Sequence, residues 1–335
     1  MLATLLTLLA AAAISALLCI LLRPLLLRYA LARPNARSSH RVPTPQGGGI
    51  AVLLGAFAAL AGVTAALPPA GGVASLVFVA AAATALAIVG AWDDIRPLSP
   101  GLRLGLQALC VAVVIVYAAP DLRLFPGVTP LAVERCLALL AGIWFVNLTN
   151  FMDGLDWLTV AGFVPFVGAL ALAGLAGIVD PATGLLAAAL CGGLIGFAPF
   201  NKPVARLFLG DVGSLPIGLI GAYLLYRLAG TGALTAALIL PLYHVADSTL
   251  TLLRRLARRE RVWEAHRSHF YQQATTHGHT VLGIAIEIGL LNLALILLAA
   301  VTLVMPAVPV QIGALGLALL LTGLLMRRFA RRKPS

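Results

Sequence analysis

Charged residues are scarce in this sequence. Asp, Glu, Lys and Arg make up 10% of the 335 residues, hydrophobic residues make up 61%, and the mean hydropathy is +1.02. A soluble domain of this length does not bury enough surface to need so many apolar side chains. The composition therefore excludes a soluble globular enzyme. It predicts an all-α integral membrane protein, with residues 1–335 forming a single polytopic membrane domain.

Three further features are missing, and each argues against a class of protein. Strict alternation of apolar and polar residues is absent, which argues against a membrane β-barrel. Internal repeats are absent, so the sequence lacks the inverted-repeat signature of many secondary transporters. Cysteine pairs with metal-ligand spacing are absent as well. The four cysteines lie singly in apolar segments and are predicted to be small buried hydrophobes: Cys19, Cys110, Cys136 and Cys191.

The amino terminus has no basic residue before its first apolar run, residues 2–22. The first basic residues, Arg23 and Arg28, come after that run. A secretory signal peptide has the opposite order, so the run is predicted to be a retained first helix that starts outside the cytoplasm.

What the chain has instead is a series of long apolar segments. About eleven of them are long enough to span a membrane as a helix. Their approximate bounds are 2–22, 48–67, 73–91, 103–119, 131–149, 158–178, 183–199, 214–229, 233–253, 281–305 and 309–326.

Basic residues are distributed unevenly between these segments. With the amino terminus in the periplasm, 20 of the 23 Lys and Arg residues fall in cytoplasmic segments, and only Arg123, Arg135 and Arg227 do not. The cytoplasmic segments are then 23–47, 92–103, 150–157, 200–213, 254–280 and 327–335. Because cytoplasmic loops are enriched in Lys and Arg, we predict a periplasmic amino terminus and a cytoplasmic carboxyl terminus. The net charge of +11 is interpreted as orientation and lipid contact, not as nucleic-acid binding.

The main polar clusters all fall on that same predicted side. They are Asp93-Asp94, the stretch 147–158, Asp211, and His266-Arg267-Ser268-His269. A carboxylate at a helix centre in lipid costs about 2.5–3.5 kcal/mol, so such acids usually face a polar cavity, a cation or a partner. We therefore predict that the four clusters form one site at the cytoplasmic face.

The stretch 147–158 carries its polar residues at a regular spacing. Asn150, Asp153 and Asp156 are three residues apart, so in a helix they would share one face. Alternatively, they are caps in a polar loop between two membrane spans. Asp93 and Asp94 are adjacent, so they do not face each other. One is predicted to hold a cation or base while the other transfers a proton; the alternative is two helix-end charges in water.

The remaining clusters each allow two interpretations. Asp211 is framed by glycines, which lets a metal or phosphate approach closely, or which simply makes a turn. The glycine run 47–49 suits a phosphate, but a flexible basic loop is favoured there. His266 and His269, with Arg267, suit a diphosphate better than zinc, since no third zinc ligand is nearby. Further polar residues are either site residues or locally hydrogen-bonded: His244, Asp247 and Glu287.

Taken together, these motifs resemble the polyprenyl-phosphate N-acetylhexosamine-1-phosphate transferase family, which is related to the phospho-MurNAc-pentapeptide translocase. The resemblance covers nearly the whole chain, in order. It is carried by Pro34-Asn35-x-Arg37-Ser38-Ser39-His40, Pro43-Thr44-Pro45-x-Gly47-Gly48-Gly49, Asp93-Asp94, Asn150-Phe151-Met152-Asp153-Gly154-x-Asp156, Phe208-Leu209-Gly210-Asp211-x-Gly213-Ser214 and His266-Arg267-x-His269.

The resemblance implies a membrane enzyme that moves HexNAc-1-phosphate from a UDP-sugar to undecaprenyl phosphate and releases UMP. It implies UDP-GlcNAc or a 6-deoxy-HexNAc such as FucNAc or QuiNAc as donor, and a role in starting O-antigen or related envelope glycans. It also implies Mg²⁺, with Mn²⁺ as a substitute, and a multi-pass location in the bacterial inner membrane. Expected partners are these two substrates and membrane lipids, without nucleic acid; a homodimer is compatible.

The resemblance also assigns roles to individual residues. Asn150 and Asp211 are expected to hold the metal ion. Four carboxylates are expected to be catalytic, Asp93 by activating the lipid phosphate: Asp93, Asp94, Asp153 and Asp156. Of these, Asp153 and Asp156 fit better as supporting or substrate-positioning groups. Substrate contacts are expected from Ser39, His40, Arg103 (lipid phosphate), Asn201 (uridine), and His266, Arg267 and His269 (diphosphate). Direct attack by the lipid phosphate is the favoured mechanism, and a two-step route through a carboxylate stays open.

Two positions depart from the family pattern. Arg33 stands where many members have Asp, and Trp157 stands where Gly is common. The last loop lacks the three consecutive histidines usual in the translocase, which argues against that subgroup. The alternative from another class is a transporter or flippase for an anionic lipid-linked or phosphorylated sugar. A transporter is expected to place its polar residues at mid-membrane depth, whereas this chain concentrates them on one side.

Overall fold

The computed structural model describes residues 1–32, 43–262 and 266–332. These ranges contain thirteen α-helices and one two-stranded ladder, in which β1 (Leu31–Ala32) pairs antiparallel with β2 (Thr44–Pro45). The helices are α1 Leu2–Tyr29, α2 Gly48–Ala66, α3 Ala74–Ile95, α4 Pro100–Val113, α5 Leu131–Phe151, α6 Leu158–Leu175, α7 Pro181–Asn201, α8 Asp211–Ala229, α9 Leu234–Ile239, α10 Leu242–Ala257, α11 Phe270–Thr276, α12 Val281–Val304 and α13 Val308–Phe329. A π-helical turn, Val114–Ala118, extends α4.

The predicted all-α membrane class is confirmed. Within the described ranges, ten helices are long and apolar enough to cross a membrane. The difference from the predicted eleven lies in the ninth segment, 233–253, which the structure divides into α9 and α10. Pro241 stands at the break. Its ring lacks the backbone N–H that a continuous helix needs and clashes with the preceding turn.

The second half of this broken segment, α10, is polar on its buried side. Its buried residues include His244, Asp247 and Ser248, whereas Leu250 and Leu253 point outward. This is the arrangement expected of a helix whose polar groups face the protein interior and whose leucines face lipid. Because its buried face is polar, we expect α10 to contribute side chains to the site.

The bundle is built around α7 and α8, which the other helices cover. α1, α2 and α6 pack on α7, and α3 and α5 pack on α8. Glycines allow the closest approaches. A Cβ on Gly49 would lie 2.1 Å from Cα of Gly213, and one on Gly90 would lie 2.2 Å from the carbonyl oxygen of Asp211. Both contacts fix the start of α8, where Asp211 lies.

Candidate active site

Seven helix ends meet at one end of the bundle, which we call the site end. They are the carboxyl ends of α3, α5 and α7 and the amino ends of α2, α4, α6 and α8. The opposite end, which we call the far end, carries Glu134 and Asp180. The structure thus brings Asp93, Asp94 and Asp211 together, although 117 residues separate Asp94 from Asp211.

Asp211 is the first residue of α8, and Asn150 connects it to Ser214 of the same helix. Oδ1 of Asp211 accepts a hydrogen bond of 2.7 Å from Nδ2 of Asn150, at the end of α5. The same amide nitrogen donates to Oγ of Ser214 at 2.9 Å. The two residues expected to hold a metal are therefore direct neighbours.

Asp94 anchors the start of α8. Its carboxylate accepts hydrogen bonds from the backbone N–H groups of Asp211 (3.1 Å) and Val212 (3.2 Å). A carboxylate at this position satisfies N–H groups that have no partner inside the helix and interacts favourably with the helix dipole. The geometry gives Asp94 a positioning role for Asp211; its catalytic role stays a prediction.

Asp93 holds Arg103. Its carboxylate accepts hydrogen bonds from Nη1 of Arg103 at 2.9 Å and from the backbone of Leu98 at 2.6 Å. The same Nη1 lies 3.7 Å from Oδ2 of Asp211. Arg103 therefore bridges two carboxylates of the site. The position suits an anion such as a phosphate, whereas a base role for Asp93 stays a prediction.

The donor set around Asp211 fits Mg²⁺ as that ion is usually bound. Mg²⁺ takes one or two protein carboxylates and fills its remaining positions with water and substrate phosphates. Asp211 supplies a carboxylate, and Asn150 supplies an amide that must turn so that its oxygen replaces the nitrogen now facing Asp211. The described residues contain no group of three or more His, Cys, Asp or Glu that could hold a metal alone. A site completed by substrate oxygens is consistent with that finding.

Asp153 lies beside this cluster, in the loop after α5. Its carboxyl accepts a hydrogen bond from the hydroxyl of Thr159. Burial raises the pKa of Asp153 to about 8, with the charges of Asp211 and Asp94 acting in the same direction and the Thr159 bond opposing them. A carboxyl that titrates near neutral pH suits general acid or base work.

Asp156 and Asn201 connect two loops of the site end. Asp156 is buried and accepts a hydrogen bond from the backbone N–H of Ala205 at 2.9 Å. Asn201 accepts from the backbone of Trp157 at 2.8 Å and donates to the carbonyl of Leu207 at 3.0 Å. Both side chains thus hold backbone in place. The catalytic role of Asp156 and the uridine contact of Asn201 stay predictions.

Trp157, a predicted departure from the family pattern, has a strained backbone. Its φ of 63° is a conformation that favours glycine. A non-glycine residue there is strained by roughly 1–2 kcal/mol. The indole compensates in part, because its Nε1 donates to the carbonyl of Ala198 at 2.6 Å.

The histidine segment lies against the stretch after α5. The rings of His266 and His269 stack with centroids 4.9 Å apart, and His269 lies 6.1 Å from the ring of Phe151. Burial, followed by the nearby His269 and Arg255, lowers the pKa of His266 to about 4, so His266 is neutral at pH 7. Arg267 is exposed and makes no hydrogen bond or ion pair within the described part of the chain, which leaves its guanidinium available to an anion.

Two of the predicted substrate contacts, Ser39 and His40, lie outside the described residues. The glycine run that follows has its N–H groups occupied: Gly48 donates to the carbonyl of Phe208 at 2.8 Å and Gly49 to that of Leu209 at 2.9 Å. These amides hold α2 against the loop before α8, so they are not free for a phosphate.

The partners of two residues at the site end were not predicted. Asp247 was predicted to be either a site residue or a locally hydrogen-bonded polar group, and it accepts five hydrogen bonds. Tyr271 gave no signal at all, yet its buried hydroxyl donates to the carbonyl of Phe151 at 2.7 Å. Burial raises the pKa of Tyr271, which keeps its hydroxyl a donor. Only the spacing of His266 and His269 pointed to their neighbourhood.

Comparison with known proteins matches this chain to one family model and to several relatives that share one name. A family model described as "Glycosyl transferase family 4" matches residues 76–229. A phospho-N-acetylmuramoyl-pentapeptide-transferase of Desulforudis audaxviator is 34% identical over 211 residues, which is 54% of this chain and 62% of the relative. The protein of that name from Rubrobacter xylanophilus is 33% identical over 199 residues (52% and 58%). The one from Mycolicibacterium gilvum is 31% identical over 260 residues (62% and 72%). The chain thus spans about three fifths of the first two relatives.

Proposed function

The chain belongs to glycosyl transferase family 4, and from that premise we propose that it transfers a HexNAc-1-phosphate from a UDP-sugar to undecaprenyl phosphate and releases UMP. UDP-GlcNAc or a 6-deoxy-HexNAc such as FucNAc or QuiNAc is the donor, and the product starts an O-antigen or related envelope glycan. The observation that carries the proposal is the meeting of Asn150, Asp211 and Arg103 at one end of the bundle. This arrangement can hold a phosphate and a cation side by side.

Phosphoryl transfer depends on position and charge more than on covalent chemistry by the protein. Arg103 binds the lipid phosphate, and the exposed Arg267 binds the diphosphate of the donor. Mg²⁺, or Mn²⁺ in its place, held by Asp211 and Asn150, would neutralise the charge that the diphosphate accumulates. Asp94 and Asp93 keep Asp211 and Arg103 in place, and the lipid phosphate attacks directly.

An apolar cavity supports a lipid acceptor. It has a volume of about 530 Å³ and is lined by side chains of α4, α5, α8, α9, α10 and α13. Val111 of this lining lies eight residues after Arg103 on the same helix, about 12 Å along its axis. A polyprenyl chain in the cavity would thus have its phosphate end near Arg103. The site end then faces the cytoplasm of a bacterium, where UDP-sugars are made, as the distribution of basic residues predicts.

A second donor class is suggested by the relatives, which are named phospho-N-acetylmuramoyl-pentapeptide-transferases. The last loop argues for the smaller sugars, because its sequence is His266-Arg267-Ser268-His269, without three consecutive histidines. The donor assay therefore includes both classes.

The test is UMP release by the purified full-length protein with undecaprenyl phosphate and Mg²⁺. The donors are UDP-GlcNAc, UDP-FucNAc, UDP-QuiNAc and UDP-MurNAc-pentapeptide. We expect release with one HexNAc donor. No release with any donor from folded protein would overturn the proposal. Sugar-phosphate uptake into proteoliposomes without UMP release would instead support the transporter.

A further inference from the structure

Asp247 is a buried carboxylate with an unusual number of donors. Its Oδ1 accepts hydrogen bonds from Thr251 (3.2 Å), from Nδ1 of His269 (3.1 Å) and from the backbone of Phe270 (3.0 Å). Its Oδ2 accepts from Tyr243 (3.1 Å) and from the backbone of Tyr271 (3.2 Å), and the residue is 0% exposed. A buried charge is tolerated only when it is compensated in this way.

The five donors come from two parts of the chain. Tyr243 and Thr251 belong to α10 itself, and each is four residues from Asp247. The other three come from residues 269–271, which begin α11. The local bonds fix the Asp247 side chain, and the distant bonds attach the histidine segment to it. Asp247 therefore ties the broken ninth segment to that loop.

The contact with His269 also determines which ring nitrogen is protonated. An ionised carboxylate only accepts hydrogen bonds, so Nδ1 of His269 must carry the hydrogen. The ring also meets the backbone N–H of Gln272 at the start of α11, and Nε2 can donate to an anion only when it carries a hydrogen as well. A carboxylate that orients a histidine through its second nitrogen is a common arrangement at metal and catalytic sites.

The same segment is packed directly on the centre of the site end. The hydroxyl of Tyr271 donates to the carbonyl of Phe151, the neighbour of Asn150. A Cβ on Gly154 would lie 2.3 Å from that hydroxyl oxygen, so Tyr271 packs directly against the backbone of Gly154. The position of His269 relative to Asn150 is therefore set from both sides, by Asp247 and by Tyr271.

We propose that Asp247 is a positioning residue for the transfer reaction: it accepts the Nδ1–H of His269 and so directs the doubly protonated ring, with Nε2–H as the donor, towards the diphosphate of the sugar donor. This inference rests on the proposed function. Asp247 touches no substrate itself. Its effect reaches the reaction through His269.

The test is a double-mutant cycle in the UMP-release assay. Loss of such an orienting group typically costs 10–100-fold, so we expect Asp247→Asn to lower kcat/KM for the UDP-sugar about 30-fold, mainly through KM. In a His269→Ala background the same change should cost less than about twofold, because contacting residues that act together are not additive. Tyr243→Phe and Thr251→Val are the matched controls, since each removes a donor to the same carboxylate and leaves His269 in place. Both should stay within about threefold of the wild type.

Three results would overturn the inference: an equal loss in the His269→Ala background, control variants as impaired as Asp247→Asn, or a His269 whose Nδ1 carries no hydrogen. The protonation of Nδ1 is read by ¹⁵N NMR of the full-length wild-type protein, with the signal assigned by its loss in His269→Gln. That measurement needs neither turnover nor a folded Asp247 variant. If the wild type releases no UMP from any donor, the proposed function fails separately.

Discussion

The two ends of the bundle differ in how their acidic side chains are paired. At the far end Glu134 pairs with Arg123 at 2.8 Å, and Asp180 pairs with Arg227 at 2.7 Å. At the site end Asp93, Asp94, Asp153 and Asp211 form one cluster, in which Arg103 pairs with Asp93 at 2.9 Å and lies 3.7 Å from Asp211. Asp94 and Asp153 instead accept hydrogen bonds, from backbone N–H groups and from Thr159.

This difference indicates a structural role for the far-end acids and a functional role for the site-end acids. The far-end acids are neutralised by the protein itself, so they serve the fold. Glu134 also accepts bonds from Thr129 and from the backbone of Leu124 and Phe125, which orders the loop before α5. The carboxylate cluster around Asp211 has fewer paired arginines than carboxylates, and a divalent cation there would balance the remaining negative charge. If this is right, variants at the site end should lose activity, whereas variants at the far end should lose stability.

The largest effect is expected from Asp211→Asn. Loss of the carboxylate that we propose as the Mg²⁺ ligand should lower UMP release at least about 1,000-fold, since metal-held charge is worth several kcal/mol and about 1.4 kcal/mol is tenfold. Asp180→Asn is the matched far-end control and should leave the release rate within about twofold. Comparable losses in both variants, at equal protein folding, would contradict the separation of the two ends.

The next effect is expected from Gly90→Ala. A Cβ there would lie 2.2 Å from the carbonyl oxygen of Asp211, so the start of α8 must shift. A displacement of about 1 Å in an active site can cost roughly 100-fold, and we expect a loss of that size in UMP release. Gly62→Ala is the control, because nothing lies within 4 Å of its Cβ. Normal turnover by Gly90→Ala would show that the position of Asp211 is not critical.

A variant at the far end is expected to lose stability and to keep its activity. Glu134→Gln keeps the shape of the side chain but removes the charge that pairs with Arg123. Breaking a buried pair destabilises because one charge is left without its partner. We expect the Tm in detergent to fall by several degrees while the turnover of the folded fraction stays unchanged. A normal Tm with reduced turnover would assign the far end a functional role.

The smallest effect concerns Trp157. Its φ of 63° costs most residues roughly 1 kcal/mol, and glycine nothing. Trp157→Gly and Trp157→Ala both lose the hydrogen bond to Ala198. The difference in their free energies of unfolding therefore measures the cost of the positive φ. We expect the glycine variant to be the more stable by about 1 kcal/mol, the reverse of the usual order in a helix. Unfolding with chemical denaturant measures the difference, and a more stable alanine variant would contradict the strain.

Hydropathy predicted the fold because lipid imposes strong rules on the backbone. Apolar runs of about 20 residues must be helices, and the ten spanning helices follow them. The break at Pro241 was missed because the run 233–253 stays apolar across it, and proline is tolerated in many membrane helices.

The sequence predicted part of the candidate site and missed other parts. The meeting of Asn150 and Asp211 follows from placing their segments on one side, and the structure puts them 2.7 Å apart. The partners of Asp247 and Tyr271 could not be read from the sequence, since they depend on how α10, α11 and α5 pack in three dimensions. A buried carboxylate has the same sequence signal whether it binds substrate or holds a neighbouring loop.

The most direct test is the mass of the lipid product. Full-length wild type, Asp211→Asn and Glu134→Gln are each incubated with undecaprenyl phosphate, Mg²⁺ and the UDP-sugar that releases UMP. We expect wild type and Glu134→Gln to form undecaprenyl diphosphate carrying one HexNAc, in equal amount to the UMP released, and Asp211→Asn to form none. Product from Asp211→Asn at the wild-type rate, or UMP without any lipid-linked sugar, would contradict a transferase centred on Asp211 at the site end.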